Sequence, residues 1–209
     1  MKYHLGCGSH YLEGYTNVDF PPENHNVNHD IKVDLYANIL EMVYEPGCEE
    51  IRSHHFFEHF SYFDTFALLF KWTTSLMLNG KLVIDMPDLE ELCKAYLNGN
   101  IETKFITTRY LYGSHEAAWA YHINGWSKDT ISYILENIGY EIQQTNKYGD
   151  PNNAKPNCGI TIFAILKQKY DENMLQDKFH KFFELYQNGD TDFENRLREY
   201  FVKEFERKI

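Results

Sequence analysis

A short apolar segment, Tyr3-His4-Leu5, runs straight into Gly6-Cys7-Gly8-Ser9. From there to about residue 168 strand-like segments alternate with segments of helical period. That alternation constrains the fold more than any other feature. Strands separated by helices pair in parallel, and a parallel sheet must be covered on both faces. The strand-like segments are residues 3–5, 15–20, 31–35, 50–53, 81–86, 140–147 and 158–166. Apolar residues recur at helical spacing from Phe56 to about Leu78, where Asn79-Gly80 reads as a stop. Further helices are expected from Leu89 to about Leu97 and from Lys128 to Asn137, the latter behind the N-cap candidate Ser127. Residues 101–124 read as helical in part. The last two strands are joined by a loop too short for a crossover helix, so they are expected to form an antiparallel hairpin at the sheet edge. The fold class expected is α/β, a doubly wound, seven-stranded, mostly parallel sheet over residues 1–168.

Residues 169–209 have a different pattern. Leu175, Phe179, Phe182 and Tyr186 share one helical stripe, Asn188-Gly189 interrupts it, and Phe193, Leu197, Phe201 and Phe205 form another. This predicts a C-terminal helical hairpin appended to the main domain. Its apolar stripe can be buried on that domain or on a second copy, so a homodimer through these helices stays open.

Composition narrows the function. A formal charge of −11 and the lack of a basic run argue against nucleic acid and against an anionic membrane surface. No apolar run is long enough to span a bilayer, and the start of the chain does not read as a signal peptide. Cys7, Cys48, Cys93 and Cys158 are too widely spaced for a zinc knuckle or a disulfide scaffold, which makes a reduced, cytoplasmic setting the expectation.

The glycine turn after the first strand suits close approach to a ligand. Asp19 closes the second strand, where a carboxylate can accept two ribose hydroxyls. Asp34 closes the third, near where an adenine amino group would lie, and Ser53-His54 follow the fourth. In a parallel sheet these strand ends face one crevice. A dinucleotide fingerprint would need glycine at position 11, where the chain has Tyr11, and no Gly-Lys-Ser/Thr follows the turn to hold phosphates. What remains is a nucleoside ligand without a pyrophosphate. The cation S-adenosylmethionine tolerates an acidic, aromatic-lined crevice.

In order and spacing, the chain resembles the class I S-adenosylmethionine-dependent methyltransferases of compact type with a shortened first helix. The likeness rests on His4-Leu5-Gly6-Cys7-Gly8, Gly14 to Asp19, Asp34-Leu35, His55 to Phe60, Leu78 to Leu82, Met86 to Leu89, His122 to Ser127 and Leu135 to Tyr140. It spans about residues 2–167. Asn79 departs from it, standing where the family usually has proline. The resemblance implies S-adenosylmethionine as cofactor, with the methionine part at Gly6, Cys7 and Gly8, the ribose at Asp19, and the adenine bordered by Asp34 and Leu35. Ser53, His54 and His59 would complete the cofactor side. It also implies a small-molecule acceptor, with a sugar or cell-surface glycan precursor as the favoured class.

If the acceptor is a hydroxyl, a base near neutral pKa helps. His122 is the first candidate and His115 the second. Asp88 would orient either one, and Arg109 would bind an anionic group of the substrate. Against these stand plainer readings: Asp88 as a first-turn helix acid and Arg109 in a surface ion pair. Two further functions stay open, a nucleoside-binding scaffold without turnover and a metal-dependent enzyme using His54, His55, His59 and His122. His55 and His59 are four apart, which is metal-ligand spacing on a helix, but His-Phe-Phe-Glu-His lacks the His-Glu opening of a zincin motif. Cys7 as a thiolate nucleophile would need a contacting base and a reason to ionise.

Overall fold

The computed structural model describes residues 1–27 and 31–209; residues 28–30, at the end of the polar loop read after Pro21-Pro22, lie outside the described residues. The described residues form one seven-stranded sheet. Its strands are β1 (Lys2–Leu5), β2 (Thr16–Asp19), β3 (Leu35–Tyr36), β4 (Cys48–His54), β5 (Leu76–Pro87), β6 (Tyr140–Tyr148) and β7 (Gly159–Leu166). The spatial order is β3-β2-β1-β4-β5-β7-β6. The first five strands pair in parallel, while β7 is antiparallel to both β5 and β6. The chain winds outward from β1 through β2 to β3, then restarts at β4 on the other side of β1. The crevice at the C-terminal ends of β1 and β4 is therefore the topological switch point, where open α/β sheets bind ligands.

Helices α1 (Tyr62–Ser75), α2 (Leu89–Asn98), α3 (Ile101–Tyr112) and α4 (Lys128–Asn137) connect the strands. Each begins at a polar N-cap, Ser61, Asp88, Asn100 and Ser127, whose side chain accepts a backbone N–H of the first turn. Ser127 and Thr130 complete a reciprocal capping box.

Two expectations shift. The third strand is not residues 31–35 but Leu35–Tyr36, so Asp34 precedes it. Ile31, expected within that strand, is instead a buried wall of the crevice. The helix read over Phe56 to Leu78 is shorter at both ends. A 3-10 turn occupies Phe57–His59, α1 stops at Ser75, and Leu76 already pairs with Cys48. Asn79 is no helix stop; it sits within β5 at φ +64°, where the register to β4 shifts between Cys48 and Glu50.

Helix α1 is buried around most of its circumference: Phe66, Ala67, Leu68, Leu69, Phe70 and Trp72 are all out of water. One side faces the sheet. The other is covered by α5 (Glu172–Glu184) and α6 (Asp192–Glu206). Phe66 lies 5.5 Å from Phe179 and 5.1 Å from Phe183 between ring centroids, and Phe70 lies 6.1 Å from Phe205. The hairpin's stripe is thus buried on its own chain, continuous with the core of the sheet. Phe193, expected on that stripe, is 64% exposed.

Phe179 is completely buried at the centre of this aromatic cluster. Phe179→Ala is expected to lower unfolding free energy by about 3–5 kcal/mol, read from urea denaturation, because the surrounding rings cannot close the cavity.

Candidate functional site

Gly6 and Gly8 build the floor of the crevice. Gly6 has φ +64°, and a Cβ there would come within 3.0 Å of the Phe56 ring. Gly8 has φ +50°, and among the described residues nothing lies within 4 Å of where its Cβ would be. Both adopt a left-handed conformation that costs other residues dearly. The Gly8 amide donates to Asp19 Oδ2 at 2.6 Å and the Phe20 amide to Asp19 Oδ1 at 2.7 Å. The carboxylate is thereby fixed, with His25 Nε2 3.5 Å from its Oδ1.

Around this floor opens a cavity of about 460 Å³. Gly6, Cys7, Gly8 and Asp19 line one end. An apolar compartment follows, with Ile31, Ala37, Ile39 and Leu40 in its wall. His54, His55, His59, Phe56 and Phe60 also line it, Phe56 and His54 beside Gly6, with Glu116 and Trp119 as a roof. The roof belongs to the segment between α3 and α4. Trp119 Nε1 donates to the Asn24 carbonyl at 2.6 Å, Asn26 Nδ2 donates to the Glu116 carbonyl, and the Trp119 ring lies 5.1 Å from His25.

Behind the histidine wall lie two buried carboxylates. Asp85, on β5, accepts from the Tyr148 hydroxyl at 3.0 Å and from Thr161; His54 Nε2 lies 3.6 Å from it and His55 Nε2 3.5 Å. Glu58, in the 3-10 turn, is 2% exposed and lies 3.3 Å from His55 Nδ1. Its backbone carbonyl accepts both the Ile123 and Asn124 amides, which ties the roof segment to the turn. Burial pulls the pKa of His54 down, so it is neutral at pH 7. For His55 the pull of burial is outweighed by the Glu58 hydrogen bond and charge and by Asp85, and its pKa is raised. Burial also lowers His122.

No protein-family profile matches the chain, and no curated protein matches it by sequence. Solved structures do match by shape. A methyltransferase described as putative, bound to the Trm112 methyltransferase activator of Haloferax volcanii, superposes with a TM-score of 0.54 at 11% identity, covering 80% of this chain and 82% of that one. The mitomycin 7-O-methyltransferase MmcR superposes with a TM-score of 0.50 at 12% identity over 78% of this chain and 48% of its own. LepI in complex with SAM gives 0.50 at 12% identity, over 79% and 42%. This chain has the class I methyltransferase fold.

Within the methyltransferase fold, the structure sorts the residues singled out by sequence. Gly6, Cys7, Gly8, Asp19, His54 and His59 line the cavity; Asp34, Leu35 and Ser53 do not. Asp34 accepts from Tyr11, from the Asn17 amide and from Asn17 Nδ2, which anchors the start of β2. The Asn17 backbone and side chain, then Tyr11, hold its carboxyl below the usual range. Leu35 is exposed and Ser53 is fully buried.

The acceptor-side residues fare differently: none of His122, His115, Asp88 and Arg109 lines the cavity. Asp88 is fully buried as the N-cap of α2 and bridges to Lys147 at 3.0 Å. Arg109 is an exposed α3 residue over the Tyr110 ring. His115 stacks on Tyr121 with centroids 4.1 Å apart and lies outside the roof. His122 sits behind His59, ring centroids 4.8 Å apart. His55, at φ +45°, is not helical, so His55 and His59 do not share a helix face.

The residues that sequence reasoning passed over are Ile31, Ala37 to Leu40 as a compartment, and Glu116. Trp119, whose sequence reading is an acceptor platform beside Tyr121 and Trp126, is in the cavity wall, whereas Tyr121 and Trp126 are not.

Burial and the nearby Asp19 charge push the Cys7 thiol up to about 12, which removes it as a nucleophile. Burial also raises Cys48, and burial with the Glu91 and Asp88 charges raises Cys158 to about 11. Cys93 is exposed. Iodoacetamide at pH 8 is therefore expected to modify Cys93 alone in the folded protein, read by mass spectrometry; rapid labelling of Cys7 would contradict its burial.

Proposed function

We propose that the protein is an S-adenosylmethionine-dependent methyltransferase acting on a small molecule, with sugars or glycan precursors as the acceptor class to test first. One observation carries this reading: a single cavity joins the glycine turn, a fixed carboxylate and an apolar compartment, the three features that methionine, ribose and adenine require. The glycine turn takes the methionine part, Asp19 the ribose hydroxyls, and the Ile31, Ala37, Ile39 and Leu40 compartment the adenine. The adenine border thus passes from Asp34 and Leu35 to residues a few positions later. The sulfonium would lie near Phe56 and Phe60, whose centroids are 4.4 Å apart and whose faces attract a cation.

Methyl transfer needs alignment more than activation, because the sulfonium is already a good leaving group. An acceptor oxygen attacks the methyl carbon in line, the carbon–sulfur bond breaks, and its electron pair stays on sulfur. The proton of an acceptor hydroxyl must leave. His54 is the cavity-facing base: it is neutral, and Asp85 lies 3.6 Å from its Nε2 to stabilise the imidazolium that forms. This takes the base role from His122, which the cavity does not reach.

Isothermal titration with S-adenosylhomocysteine tests the cofactor assignment. Asp19→Ala is expected to cost about 1–3 kcal/mol, roughly 5- to 150-fold in Kd, through lost charge-assisted hydrogen bonds; unchanged affinity would remove Asp19 from the ribose. His54→Gln is expected to lower kcat by roughly 100-fold or more while leaving that Kd nearly unchanged. Because the His54 pKa lies below its ordinary 6.5, kcat should be level above about pH 6.5 and fall as the pH drops through the lowered value. A profile that continues to rise above pH 8 would assign the proton to another group.

A further inference from the structure

The main cavity does not account for Glu58. Its carboxylate is 2% exposed, and its Oε2 has no hydrogen-bond partner among the described residues. A buried carboxylate oxygen without a partner is costly, and such an atom is normally satisfied by an ion, a water or a donor. Two histidines stand beside it. His122 Nε2 is 3.9 Å from Glu58 Oε1, and one ligand-capable atom each from Glu58, His59 and His122 lie within 4.8 Å of one another.

Both histidines are also held from behind. His122 Nδ1 lies 2.8 Å from the Tyr110 carbonyl, and His59 Nδ1 lies 3.1 Å from the Tyr121 carbonyl. A carbonyl can only accept, so each Nδ1 carries the proton and each Nε2 is left with its lone pair. A backbone carbonyl on the rear nitrogen is the arrangement that orients metal-bound histidines and sets their tautomer. A small, mostly apolar cavity of about 20 Å³ reaches Glu58 and His122 from one side, while His59 faces the large cavity on the other, so the cluster stands between the two.

We infer that Glu58, His59 and His122 form a binding site for a divalent first-row transition metal. Two imidazoles and one carboxylate suit zinc, iron, cobalt or nickel; calcium and magnesium prefer oxygen-only shells. Bonds of about 2.0–2.2 Å put neighbouring ligand atoms roughly 3–4 Å apart. From separations of up to 4.8 Å, the three side chains therefore need to close by up to about 1–2 Å. Three protein ligands leave positions open in the metal's shell. His59 also lines the large cavity, so an acceptor oxygen can take one of them. That last role rests on the methyltransferase reading; the binding of metal does not. A second cluster, His54, His55 and Asp85, has the same composition. There Asp85 is already satisfied by Tyr148 and Thr161, which is why the site is placed at Glu58.

The test is titration of the full chain, stripped with EDTA, with Co²⁺, read by its visible d–d absorption and competed with Zn²⁺. One equivalent of Co²⁺ is expected to develop the bands and Zn²⁺ to abolish them. Losing a partner outside the coordination shell already costs about 10–100-fold in affinity, so His59→Ala and His122→Ala are each expected to weaken Co²⁺ binding roughly 100-fold. His54→Ala is expected to leave it within about twofold. Glu58→Gln should act like the two ligand variants; if its burial prevents folding, as circular dichroism would show, the two histidine variants decide. Absence of bands in the parent protein overturns the site, as does loss of binding in His54→Ala with retention in His122→Ala. S-adenosylhomocysteine titrated into the same samples reads the cofactor assignment separately: its binding without Co²⁺ binding rejects the metal site alone, and the reverse rejects the cofactor alone.

Discussion

The site is organised around a carboxylate removed from water. Glu58 holds its place through three kinds of contact: its Oε1 pairs with His55, its carbonyl accepts two amides from residues 123 and 124, and His122 Nε2 stands 3.9 Å from the same Oε1. Burying a carboxylate this deeply is unfavourable unless charge and hydrogen bonding compensate. The His55 hydrogen bond supplies part of that compensation, and the Glu58 carboxyl is held below its usual pKa despite burial. The short turn at Phe57–His59 and the distant segment before α4 are thereby joined. The histidine wall and the roof form one assembly, although more than sixty residues of chain separate them.

Much of the fold was legible because its signals are local. Ser127 caps α4 through its own side chain, and the closing hairpin follows from loop length alone. The errors share a different origin. Leu76, Met77 and Leu78 continue the helical period of α1, yet strand pairing with Cys48 claims the chain at Leu76. Ile31 to Leu35 alternates like a strand, but Ile31 is needed as a wall, and the edge strand shrinks to two residues beyond it. In both cases tertiary contacts override a pattern that was locally sound.

The site divides along the same line. The glycine turn and Asp19 were readable because they sit at strand ends, where topology fixes their direction. The acceptor side was not, because the roof segment is irregular and no period reports which way its side chains point. His122 and His59 stand in one cluster, but only His59 reaches the large cavity. Asp88 was drawn away by its own helix, whose first amides it satisfies.

The hairpin of α5 and α6 comes after, in sequence, the surface it protects. Phe66 and Phe70 lie on a helix complete by residue 75, whereas Phe205, one of their partners, is reached only at the last turn of α6. During synthesis the chain must therefore carry a bare aromatic face while some hundred and thirty further residues emerge. A partly made copy is adhesive in a way the finished molecule is not, and the cell's chaperones are the natural holders of that interval.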